Sequence, residues 1–157
     1  MRSKQQTMNQ AKAYAEEGFL CSESVLLALS NTLQVDSDII PRIATGFGAG
    51  IGRHGEICGA LLGSIMGLSL NFGRNHPSET PEGESPYEYS QTMMNMFVAQ
   101  FGHIRCRDLL GLDISCEEGL QEYRTQNLWQ TKCRDFIQTA TGLAYDVLKA
   151  SNPDLNP

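Results

Sequence analysis

The sequence predicts an all-α fold, a single-domain bundle of about five main helices with one loop rich in proline and glutamate. Three observations predict it. Apolar residues recur at three- and four-residue spacings along most of the chain, the signature of amphipathic helices. No segment alternates apolar and polar residues with the period of a strand. Glycines stand where the helical stretches end, at Gly18, Gly73 and Gly111. With 157 residues, of which 41% are hydrophobic and 19% charged, the chain is expected to form one domain over 1–157. That length buries a core without help from disulfides.

The first helix is expected over Lys4 to Glu17, with Met8, Ala11, Tyr14 and Ala15 on a weak apolar face. A second runs from Cys21 or Ser22 to Leu33. In "DSDIIPRIATG", Ser37 and Asp38 are caps for a small helix interrupted by Pro41. A long apolar helix is expected from Glu56 to Phe72. Residues 73–86 hold three of the six prolines together with three glutamates, and read as a solvated loop. Beyond it, helices are expected from Tyr87 to Phe101 and, briefly, in "HIRCRDLLG". Ser115 is the expected cap of a further short turn, and a last long helix covers Leu128 to Ala150.

Composition excludes several functions. A net charge of −6 with singly scattered Lys and Arg offers no basic face for nucleic acid. The N-terminal segment lacks the apolar stretch of a secretory signal. Ile57 to Gly73 is uncharged and reaches the lower edge of a membrane span, but its glycines, serines and Asn71 dilute it, so a buried central helix is expected. Five cysteines without a signal point to a reducing cytoplasm, where thiols are free, metal-bound or redox-active.

"GFGAGIGRHG" resembles a dinucleotide-binding loop only in its glycines. The preceding strand and the later acidic residue that such a loop needs are missing. A sharp connection between helices accounts for it better. An anion site at the following helix start, with Arg53 and His54 nearby, is a minor alternative. Gly55, Gly59, Gly63 and Gly67 then recur every four residues and form a smooth stripe. Each mid-helix glycine costs about 1 kcal/mol relative to alanine. The stripe therefore predicts close approach by a neighbouring helix or by a flat cofactor.

Cys21, Cys58, Cys106 and Cys133 each share helical phase with apolar residues, so all four are expected to face the core. Cys116 stands apart, at an exposed helix start ahead of Glu117 and Glu118. Buried cysteines commonly serve as small hydrophobes. Arg105 and Arg107 around Cys106, and Lys132 and Arg134 around Cys133, instead favour thiolates. No CxxC pair occurs, so a shared site has to be assembled by bundle packing, one cysteine per helix. Three histidines show no triad or metal pair. His103, three residues before Cys106, is an additional metal-ligand candidate.

Cys58-Gly59-Ala60-Leu61-Leu62-Gly63, set between "GIGRHGE" and "MGLSLNFG", resembles the signature of the C_GCAxxG_C_C family of redox-active proteins. "GFLCSESVLLAL", "CRDLLGLDI" and "KCRDFIQTATGLAYDVL" resemble the segments that carry the family's other three cysteines. The resemblance runs in order over residues 14–148 and leaves Cys116 without a place. It implies a redox-active protein with Cys21, Cys58, Cys106 and Cys133 as its site, working with a redox partner not identified by the sequence.

Two readings follow. In one, the four thiols form a dithiol/disulfide or a metal site, for which zinc and iron–sulfur clusters are the suited soft-ligand groups. In the other, the chain is a non-enzymatic helical module that forms a homo-oligomer through its glycine stripe, with the cysteines as core filler.

Overall fold

A computed structural model describes residues 2–80 and 85–151. Among them are eight α-helices: α1 (Lys4–Glu17), α2 (Cys21–Leu33), α3 (Gly48–Ile51), α4 (Gly59–Phe72), α5 (Glu88–Phe101), α6 (Cys106–Leu110), α7 (Glu117–Thr125) and α8 (Arg134–Ser151). The all-α class is as expected. The count is eight rather than about five, because α3, α6 and α7 are too short for periodicity to mark them as main elements. Two 3-10 turns, Arg42–Phe47 and Pro77–Glu79, and a π turn, Trp129–Cys133, complete the described structure. In the proline- and glutamate-rich loop, the described residues are mostly exposed. Residues 81–84 of that loop lie outside the described residues, as do 152–157.

The element ends follow from local chemistry. Ser3 opens α1 with a capping box, its hydroxyl accepting from Gln6 N–H while the Gln6 side chain takes the Ser3 N–H. Gly18 closes the helix in the left-handed conformation. Glu23 caps α2 by accepting the Leu20 N–H at 2.9 Å. Its second oxygen accepts the Thr45 hydroxyl, and Ser22 donates to Ala44 O at 2.7 Å, so the 3-10 turn is tied to the start of α2.

α2 lies along α4, and the glycine stripe makes this possible. A Cβ at Gly63 would overlap the Ser22 carbonyl, and one at Gly67 would meet the Leu29 side chain. Gly63 and Gly67 of the stripe are therefore covered by α2 of the same chain, while Gly59 lines a cavity described below. Gly55 does not belong to the stripe. It sits before the helix at φ +69, packed against Arg107. α8 closes the bundle over α4, α1 and α5. Val25, Leu29, Leu61, Leu68, Met93, Phe97, Ile137 and Leu148 are buried at its centre. Each fully buried side chain of this kind contributes about 1.5–3 kcal/mol. No helix among the described residues is long and apolar enough to cross a membrane.

The connection from α2 to α4 has an unusual backbone. Ala49, Gly50, Ile51, Gly52 and Arg53 all have positive φ, between 54° and 68°. Together they make a left-handed turn, closed by Gly52 N–H donating to Gly48 O at 3.0 Å. Left-handed geometry costs L-residues about 1–2 kcal/mol each, and three of these five carry side chains. Gly50 is required here twice over, since a Cβ would also meet Cys106 Cβ at 2.7 Å. After this turn the chain runs extended through Glu56 and Ile57, and α4 begins at Gly59 rather than at the expected Glu56.

Candidate functional site

Four cysteines from four elements line one cavity of about 220 Å³. Cys21 is the first residue of α2, Cys58 the N-cap of α4, Cys106 the first residue of α6, and Cys133 the last of the π turn. Ala49, Leu109, Leu110, Ile114, Trp129 and Phe136 supply apolar wall. Cys58 and Cys106 are buried, whereas Cys21 and Cys133 are half-buried, and all four are free thiols. Sequence phase thus identifies the cavity-facing cysteines, but their elements meet only in the folded bundle.

Two devices bring the thiols together. Between α4 and α6, Cys58 N–H donates to Ile104 O at 2.8 Å and Cys106 N–H to Glu56 O at 2.6 Å. This antiparallel bridge, centred on Ile57 and Arg105, fixes Cys58 beside Cys106. Between α2 and α4, Cys21 Sγ occupies the place a Cβ on Gly59 would need. The residue after Cys58 is a glycine, and its bare backbone leaves Cys21 Sγ that place.

The flanking cations work elsewhere. Arg105 and Arg107 pair with Glu56 at 3.1 and 3.3 Å, and Arg107 also donates to the carbonyls of His54 and Gly55. Lys132 donates to Leu109 O and Leu110 O, capping α6, and Arg134 pairs with Glu16. Expected thiolate stabilisation by these neighbours is overruled by burial. Burial pushes Cys106 up to about 12, helped by Cys133 and Cys21 nearby. Cys133 is likewise pushed up to about 12 by burial, against a smaller pull from the Tyr123 hydroxyl, 3.5 Å away, and a weak one from Lys132. Cys58 is raised well above the ordinary thiol value, first by burial and then by Cys21 and Cys106. Cys21 is raised by burial, with the Ala49 and Ser22 backbone pulling the other way.

A family model described as "Putative redox-active protein (C_GCAxxG_C_C)" matches residues 19–147. The chain belongs to this family. Where the family label writes Gly-Cys-Ala, this C_GCAxxG_C_C protein reads Cys58-Gly59-Ala60. No curated protein and no solved structure matches the chain.

His103 is exposed, precedes α6 instead of sharing its face with Cys106, and does not line the cavity. Cys116 is exposed and does not line the cavity. It, rather than Ser115, caps α7, its Sγ accepting the Gly119 N–H at 3.4 Å. Among the described residues, no three His, Cys, Asp or Glu side chains stand close enough to hold a single metal ion. The four thiols of this C_GCAxxG_C_C protein line a cavity of about 220 Å³, larger than one ion. Tyr123 and Arg124 line the cavity although nothing in their spacing relates them to the cysteines, and Arg53, named in the sequence only for a minor anion site, lines it too.

Proposed function

We propose that the chain is a thiol-based redox protein in which Cys21, Cys58, Cys106 and Cys133 act as one dithiol–disulfide centre. The observation that carries this reading is that all four line a single cavity, although they come from four separate elements. Cys21 and Cys58 are the leading pair, since Cys21 Sγ packs against Gly59, next to Cys58 in the chain. When two thiols close to a disulfide, they give up two electrons and two protons to an acceptor. The product is neutral, which suits an apolar cavity better than a thiolate does.

Burial also supports one direction of electron flow. A dithiol becomes a strong oxidant when its reduced form is stabilised as thiolate. Here burial and mutual proximity disfavour the thiolate, which supports a reducing centre. A second reading is favoured by the donor set, because four thiols lining one cavity of about 220 Å³ suit an iron–sulfur cluster.

Intact mass measured on protein purified without oxygen, then oxidised and reduced, tests both. A reversible loss of two hydrogens per bridge, weakened by Cys21→Ser or Cys58→Ser, supports the dithiol reading. Added mass released on denaturation supports the cluster. A mass that no oxidant changes and denaturation does not lower overturns both.

A further inference from the structure

The charged residues that line the thiol cavity are two arginines, Arg53 and Arg124, and no carboxylate lines it. Both are exposed. Arg105, Arg107 and Arg134 each have a carboxylate partner, whereas Arg53 and Arg124 make no side-chain hydrogen bond or ion pair among the described residues. Glu23, whose charge acts on Cys21, accepts the Leu20 N–H and the Thr45 hydroxyl. In a chain of net charge −6, the charged side chains that line the thiol cavity are thus both cationic.

The position of Arg53 sharpens the point. It lies at φ +68, in a turn where Gly50, Gly52 and Gly55 take similarly positive φ. Glycine would hold that backbone without strain, yet the position carries an arginine, and that residue lines the cavity. Arg124 reaches the same cavity from the last turn of α7, an element with no sequence relation to residue 53. Two independent elements thus deliver an unpaired positive charge to one apolar, thiol-lined space.

We infer that this centre reduces a small anionic disulfide, whose acidic group is held by Arg53 and Arg124 while its sulfur atoms enter among the cysteines. The inference rests on the thiol-redox reading and adds the class of substrate. In the step, one cysteine loses its proton and its sulfur attacks one sulfur of the substrate. The substrate S–S bond breaks, and the departing anionic thiolate takes up a proton as its first thiol product. A mixed disulfide remains. A second cysteine, losing its own proton, attacks the protein sulfur of that mixed disulfide and releases the second thiol. The protein dithiol is oxidised by two electrons and the substrate is reduced by two, with no further reactant.

Three disulfides of similar size separate the outcomes: 3,3′-dithiodipropionate (anionic), 2-hydroxyethyl disulfide (neutral) and cystamine (cationic). Each is mixed anaerobically with the reduced full chain, and thiol release is followed together with protein mass. The anionic reagent is expected to react fastest and the cationic one slowest. The anionic-to-neutral ratio is expected to fall about tenfold in Arg53→Gln/Arg124→Gln, at the low end of electrostatic steering effects. Raising the salt concentration should compress the same ratio in the parent protein. Equal rates for all three, or an order indifferent to the two substitutions, would overturn the inference and leave thiol exchange standing. If none reacts with the native chain while the unfolded chain reacts with all, the thiol-exchange reading falls and the inference falls with it.

Discussion

Cys21 Sγ rests on the backbone of Gly59, in the space any larger residue at that position would fill. One glycine thereby holds two thiol-bearing helices in register at their N-termini. Gly59→Ala is expected to push Cys21 off its site and to cost about 1–3 kcal/mol, the range for an overpacked core. Urea unfolding gives the cost. Mass analysis gives the more specific result, slower closure of the leading disulfide than in the parent.

Gly63 and Gly67 concern packing alone. Gly63→Leu is expected to force α2 away from α4 and to lower stability by about 1–3 kcal/mol or more. Sedimentation should show no dissociation of an oligomer that depends on the stripe, because α2 of the same chain already covers it. Loss of an oligomer with retained stability would restore the self-association reading.

Reactivity of the buried thiols should climb with pH and show no plateau near the ordinary thiol value of 9.0. Cys106 and Cys133 are held at about 12, so alkylation of each is expected to rise about tenfold per pH unit between 7 and 10. A plateau below pH 9 at either residue would contradict this. The same shifts act on stability. The folded state keeps its thiol protons to higher pH than the unfolded chain, so their contribution is complete below about pH 9. It is lost progressively as pH rises toward 12.

Arg107 fastens the bridge between Cys58 and Cys106 through the His54 and Gly55 carbonyls and Glu56. Arg107→Ala removes all three contacts. Hydrogen exchange at the Cys58 and Cys106 amides is expected to accelerate, while amides in the middle of α8 keep the protection of the parent. Unchanged exchange at both cysteines would show that the backbone bridge holds without its clasp.

Much of this arrangement is legible in the sequence where helices are long. Gly18 marks the end of α1, and the four cysteines that phase places toward the core all line one cavity. The signal fails where the chain leaves regular helix. Cys58 reads as a residue inside an apolar helix, yet it caps that helix, because bridge hydrogen bonds to residues near Cys106 hold Glu56 and Ile57 extended. A pairing between segments so far apart in the chain leaves no local pattern. The cations beside Cys106 and Cys133 mislead for a related reason. Neighbours in sequence diverge on a helix, and these side chains find carboxylates and carbonyls off the cavity. Arg53 and Arg124 show the converse, joining the site from elements whose spacing carries no sign of it.

The turn from Ala49 to Arg53 has one more consequence. For five residues the backbone has the handedness that mirror-image amino acids prefer. Chemical synthesis of the chain with D-alanine at position 52 should therefore stabilise the fold, where L-alanine at the same position weakens it. The chirality of a single methyl group would report whether the wall of the thiol cavity keeps its inverted twist through a redox cycle.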